Sequence, residues 1–192
     1  MIINNILEKV NLGIVRLYPR HSVRFAIDYF KDKEISVIEI GTLEGRNAIS
    51  ILQNLNVSAI YLIDPYEKYE EYKNDGAYKG LQKAKEKAHK RLEFNYYWEV
   101  NWIEKYSDDA LKDVPLVDFI YIDGNHTYNY VKRDIENYWS KLKVGGILAG
   151  HDITHDRFGG EILLAVAEFC IKNNLKPYSS RTDWWIVKGE EK

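Results

Sequence analysis

The chain has 192 residues, a formal net charge of -2, 45% hydrophobic and 29% charged residues, which suits one soluble globular domain with a sizeable core. Near-neutral charge gives no nucleic-acid footprint, and no run nears the about 18 apolar residues of a membrane span. The lone Cys170 excludes an intramolecular disulfide and sits in an apolar run, so it belongs to the core. The N-terminus lacks a basic start followed by a long apolar stretch, so no signal peptide is expected and the cytoplasm is the default location.

Residues 1–34 precede the first strand and read as a helical cap over the sheet or a ligand crevice. Pro19 can open a helix, and Val23, Ala26, Ile27 and Phe30 form one apolar face. Residues 35–40 are the first strand, an apolar run interrupted by Glu39. Gly41 and Gly45 follow, then a helix at 45–55 with Ala48, Ile51, Leu52 and Leu55 on one face. A carboxylate near the end of a buried strand is costly unless something pairs with it. Gly41 allows a sharp turn and a close ligand approach, and the free N–H groups of the helix face the crevice. This stretch predicts a small-molecule site at the carboxyl end of a parallel strand.

The second strand, 58–63, ends at Asp64-Pro65. Polar, Tyr-rich residues 66–76 read as a loop or lid. A helix at 77–93 turns Leu81, Ala84, Ala88 and Leu92 inward, and its lysine-rich outer face reads as a solvated surface. Residues 95–102 alternate, with Tyr96, Trp98, Val100 and Trp102 on one side, and predict the third strand. Residues 107–111 resemble a helix start capped by Ser107. The fourth strand is 117–122, its helix 127–142, and the fifth strand 145–149. An apolar helix at 161–173 leads to strands at 175–180 and 184–187. The turn between these last two permits only antiparallel pairing. The alternation predicts an α/β fold: a doubly wound, mostly parallel seven-stranded sheet with an antiparallel C-terminal hairpin and helices on both faces.

Four features in this order resemble the class I S-adenosylmethionine-dependent methyltransferases, over residues 35–188. Glu39-Ile-Gly41-Thr-Leu-Glu-Gly45 is similar to the family's E-x-G-x-x-x-G cofactor loop. Asp64 stands where the family's acidic residue takes the ribose hydroxyls. Val117-Asp-Phe-Ile-Tyr-Ile-Asp-Gly124 is similar to the fourth-strand motif. Leu142-Lys-Val-Gly-Gly-Ile-Leu148 is similar to an L-K-P-G-G element, with Val144 replacing proline. The resemblance implies a Rossmann-like fold, S-adenosylmethionine as cofactor, and a cofactor site of Glu39, Gly41, Thr42, Gly45, Asp64, Asp123 and an adenine contact from Ser107 or Asp108. The plainer readings are Asp64 as a turn residue before Pro65 and Asp108 as a first-turn helix acid.

Two clusters lie at neighbouring strand ends: Asp123-Gly-Asn-His126-Thr-Tyr128 after the fourth strand and Gly150-His151-Asp152 after the fifth. The pattern resembles a subgroup related to metal-dependent O-methyltransferases of sugars and natural products. By position Asp123 and Asp152 match metal ligands, and His151 stands where an acid or amide is commoner. The implied metal set is Asp123, His151 and Asp152; the implied catalytic set is Asp123, His126 and His151. Two carboxylates suit Mg²⁺, and an added imidazole shifts the choice towards Mn²⁺, Fe²⁺ or Zn²⁺. Either histidine is alternatively a general base. The expected activity is methyl transfer to a hydroxyl of a small molecule or sugar. The rivals are a metal-free methyltransferase acting on nitrogen or a macromolecule, and a non-catalytic nucleotide-binding module. No nucleic-acid or membrane partner is expected, and homo-oligomer formation stays open.

Overall fold

A computed structural model describes residues 18–69, 80–155 and 157–189. Residues 1–17 of the expected cap at 1–34 and residues 70–76 of the expected lid at 66–76 lie outside the described residues. The elements run α1 (His21–Phe30), β1 (Ile35–Ile40), α2 (Arg46–Asn54), β2 (Val57–Ile63), α3 (Leu81–Tyr96), β3 (Val100–Ile103), α4 (Ser107–Ala110), β4 (Val117–Ile122), α5 (Tyr128–Trp139), β5 (Leu142–Gly150), α6 (Gly159–Lys172), β6 (Pro177–Ser180) and β7 (Asp183–Val187). The sheet order is β3-β2-β1-β4-β5-β7-β6. Every pair from β3 to β5 is parallel, and β7 enters antiparallel between β5 and β6. This is the expected doubly wound sheet with a closing hairpin.

Alternation along the strands divides the core in two. Ile38, Ile40, Ile120, Ile122 and Leu148 face α5 and α6, where Val131, Ile135, Ile162 and Phe169 meet them. Val37, Phe119, Tyr121, Ile147 and Ala149 face α1, α2 and α3, against Val23, Ala26, Ile51 and Leu92. Glu39 shares the parity of Val37, so its carboxylate enters the second layer. Cys170 is buried, and burial pushes its thiol up to about 11. No helix among the described residues is long and apolar enough to cross a membrane.

The third strand departs from the alternation pattern. Helix α3 continues to Tyr96, and β3 begins only at Val100. The inward row Ala84, Ala88 and Leu92 extends by the same spacing to Tyr96, so helical periodicity wins there. Trp98, expected on a strand face, is 88% exposed. Trp102 stacks on His89, with centroids 3.9 Å apart.

At the opposite end of the sheet from the crevice, Asp118 ties three segments together. Its Oδ1 accepts a hydrogen bond from Lys33 Nζ (2.9 Å), and its Oδ2 accepts from the Ser36 amide (3.0 Å) and Lys143 Nζ (2.8 Å). Burial alone raises this carboxyl, but the two lysines and the amide hold it well below the usual carboxylate range. A depressed carboxyl contributes stability above its unfolded pKa and loses it as pH falls towards the folded one. Asp118→Asn is expected to cost about 1–3 kcal/mol at pH 7. The difference should shrink at pH 3, as measured by denaturant unfolding at both pH values.

Candidate active site

The loop after β1 is built on a close approach of backbones. Gly41 has φ +87°, and a Cβ there would lie 2.1 Å from the carbonyl oxygen of Asp123 and 2.7 Å from the Gly124 nitrogen. The bare face of Gly41 therefore meets the turn after β4, a protein contact where the sequence suggested room for a ligand. Gly45 has φ +72° and N-caps α2, with Leu92 Cδ1 3.0 Å from where its Cβ would sit. Between them the Leu43 amide donates to Asp64 Oδ2 (2.8 Å), and the Tyr66 amide donates to Asp64 Oδ1 (2.8 Å). Burial raises the Asp64 carboxyl, and these backbone donors act against the rise. A backbone hydrogen bond from Thr42 acts in the same direction.

Glu39 is 1% exposed. Asn47 Nδ2 donates to its Oε1 (2.8 Å). Burial pushes the carboxyl up to about 8, with the Asn47 hydrogen bond opposing the rise. Three buried polar atoms beside this turn have no hydrogen-bond partner among the described residues: Glu39 Oε2, Thr42 Oγ1 and Asn47 Oδ1. Unsatisfied buried groups on this scale cost stability and point to a ligand that supplies the missing bonds. Thr42, Asn47, Gly41, Asp64 and Asp123 line one crevice of about 390 Å³.

The far wall comes from the ends of β4 and β5, which pair Ile122 with Gly150. Asn125 Oδ1 accepts from the amide and hydroxyl of Thr127 (both 3.0 Å), a turn that folds His126 back towards Asp123. Asp152 adopts φ +60°, a left-handed conformation that short polar side chains tolerate. His126 Nε2 then lies 3.4 Å from Asp123 Oδ1 and 3.2 Å from Asp152 Oδ2. One ligand atom from each of the three lies within 4.8 Å of the others. Burial works against protonation of His126, but the two carboxylates outweigh it and push the imidazole up to about 9. The Asp152 carboxyl is held well below its usual range by hydrogen bonds from His126 and His151. His126 thus lies between two carboxylates.

His151 is set back from this group. Its Nδ1 lies 2.8 Å from Asp152 Oδ1, and its Nε2 is 2.8 Å from Thr182 Oγ1. Ser107 and Asp108 do not line the crevice. Ser107 is the first residue of α4, not its cap, and its hydroxyl donates to the buried Asp134 (2.5 Å). Asp108 pairs with Arg133 on α5 (2.8 Å). Tyr69 lines the crevice instead, its ring edge-on to Tyr106 and Tyr130 with centroids 5.3 and 5.2 Å away. Sequence reasoning also missed Asn47 and Arg20. Asn47 was open to inference, as a polar residue in the first turn of α2 directly after the glycine loop. Arg20 carried no local signal. Its Nη2 is 3.2 Å from Asp123 Oδ2, and its Nη1 donates to the Tyr121 hydroxyl (3.0 Å).

A family model described as a methyltransferase domain matches residues 38–153. An uncharacterized protein of Acanthamoeba polyphaga mimivirus is 26% identical over 153 residues, covering 76% of this chain. The matched region spans only 64% of that relative's length. The O-methyltransferase from Bacillus cereus in complex with SAH superposes with a TM-score of 0.66 at 16% identity, covering 96% of this chain and 90% of the other. The MycE methyltransferase of mycinamycin biosynthesis, in complex with Mg, SAH and mycinamycin VI, gives a TM-score of 0.59 at 14% identity over 88% of this chain and 48% of the other. Identities this low establish the shared fold alone. The family match covers more than half of the chain and includes the glycine loop, Asp64 and the ends of β4 and β5. On that match the chain belongs to the methyltransferase-domain family.

Proposed function

We propose that the chain is an S-adenosylmethionine-dependent enzyme that methylates a hydroxyl oxygen of a small molecule, a sugar or a natural product, with a divalent ion held by Asp123, His126 and Asp152. The observation that carries this reading is the convergence of those three donors within 4.8 Å, all of them lining the same crevice as Asp64. His126 takes the place that the sequence pattern offered to His151. The donor set of two carboxylates and an imidazole fits Mn²⁺, Fe²⁺, Zn²⁺ or Mg²⁺. MycE, with Mg and SAH in its complex, supports the metal part of the reading. When bound, such an ion would lower the pKa of the acceptor hydroxyl.

The remaining work falls to the chain. Asp64 accepts from the ribose hydroxyls of the cofactor. Glu39 Oε2 and Asn47 Oδ1, both unsatisfied, accept N–H donors from the cofactor's amino end, and Thr42 closes the same corner. Tyr69 supplies an aromatic wall for adenine, a role the sequence assigned to Ser107 or Asp108. His151 orients Asp152 from behind. The methyl group passes directly from sulfonium to oxygen, with no covalent enzyme intermediate, so positioning supplies much of the rate. Residues 1–192 act as one catalytic domain in this reading. The basic face of α3 is a weak docking site for a macromolecule, because Lys85 and Lys87 are paired with Glu104 and Glu44.

Asp152→Asn is expected to lower methyl transfer to hydroxylated acceptors by about 100-fold and to leave SAH affinity within about twofold of the parent. Chelation should do the same to the unmutated enzyme, and added Mn²⁺ should restore it. Full activity after chelation would contradict the metal role.

Glu39 yields a second expectation of opposite signs. A carboxyl raised in the folded state contributes stability that is fully present below its unfolded pKa and is lost as pH rises through about 8. Glu39→Gln removes that loss, so the variant gains stability relative to the parent between pH 6 and pH 9. It should also bind SAH about tenfold more weakly, because a charged acceptor for the cofactor's amino group is gone. Thermal unfolding at both pH values and calorimetry with SAH measure the two effects.

A further inference from the structure

Arg20 is held in the site from three directions. It is the N-cap residue of α1, and α1 is fastened to the sheet by Ser22, whose amide (2.8 Å) and hydroxyl (2.7 Å) both donate to Asp183 Oδ2. Asp183 is 2% exposed. The guanidinium donates to Tyr121, contacts Asp123 Oδ2 at 3.2 Å and lines the crevice with its side chain 32% exposed. The two oxygens of Asp123 are therefore divided: Oδ2 serves Arg20 and Oδ1 faces His126.

A ligating imidazole gains basicity from an acceptor behind it, and a ligating carboxylate is itself hydrogen-bonded. Arg20 is a full positive charge on the carboxylate that an ion needs, in a partly buried setting where charges act strongly. We propose that Arg20 is a built-in competitor of the divalent ion for Asp123. The guanidinium and the ion share one carboxylate, and metal occupancy loosens one of the contacts that hold α1 at the crevice. This inference rests on the metal reading above. It adds a residue that sets metal affinity and links it to the position of α1. It also gives the cluster a charge-balanced state without metal, in which Arg20 neutralises Asp123.

The test is titration of the full chain with Mn²⁺ alone, followed by loss of the free-ion paramagnetic resonance signal. Arg20→Gln is expected to bind Mn²⁺ about tenfold more tightly than the parent, because a unit charge beside a ligand carboxylate is removed. Arg20→Lys, which keeps the charge, should stay within about threefold of the parent. Arg24→Gln serves as the control for net charge, since Arg24 packs over Tyr18 (3.8 Å to the ring) and not on Asp123. It should bind as the parent does. Equal or weaker binding by Arg20→Gln overturns the proposal and makes Arg20 an orienting partner of Asp123. If neither the parent nor Arg20→Gln binds Mn²⁺, the metal reading itself falls, and the competition falls with it. A readout on the parent needs no variant: saturating Mn²⁺ should speed amide hydrogen exchange in residues 21–30, because coupling between two sites is reciprocal. Unchanged or slower exchange there, with Mn²⁺ bound, contradicts the proposal.

Discussion

The site depends on two backbones touching where a side chain has no room. Gly41 turns with φ +87° against Asp123 and Gly124, and any Cβ at position 41 would sit 2.1 Å from the Asp123 carbonyl. This contact locks the loop after β1 to the turn after β4. The ladder continues through it, since the Asp123 amide donates to the Ile40 carbonyl (2.8 Å). The cofactor side of the crevice and the side that carries Asp123 and His126 thereby become one rigid surface. Neighbouring Gly124 is 4.0 Å, through its missing Cβ, from the buried Asp134 carboxylate, so the turn is packed from behind as well.

Buried charge is distributed unevenly along the sheet. At the amino end of β4, Asp118 is satisfied by two lysines and an amide, and its carboxyl is held low. At the carboxyl end, burial pushes Glu39 up to about 8 and raises Asp64. The first arrangement stabilises the fold. The second holds carboxylates in surroundings that disfavour their charge, which is the usual physical mark of a functional site. A ligand with N–H and O–H donors reverses the imbalance, so cofactor binding and stability are linked through the same atoms.

The parts of the fold that depend on local pattern were legible from the residues. The strand–glycine–helix unit at β1, the position of Asp64 and the closing hairpin follow from periodicity, turn chemistry and loop length. The end of α3 was not, because a row spaced by four residues and an alternating run overlap at Tyr96, and helical packing of Ala88 and Leu92 decides between them. The distinction between His126 and His151 was hidden for a related reason. His151 adjoins Asp152 in sequence and touches it (2.8 Å), but its other ring nitrogen is held by Thr182 (2.8 Å). His126 reaches the cluster only through the turn built by Asn125 and Thr127. Arg20 lies 101 residues from Tyr121, and no spacing rule connects them.

The central claim is that one crevice holds the methyl donor on the β1 side and a divalent ion on the β4–β5 side. Anomalous diffraction at the manganese edge, from crystals grown with SAH and Mn²⁺, tests it most directly. The account predicts SAH along Gly41 and Asp64 and a single manganese peak coordinated by Asp123, His126 and Asp152. SAH bound in that crevice with no manganese at those three residues, or SAH bound elsewhere, would contradict it.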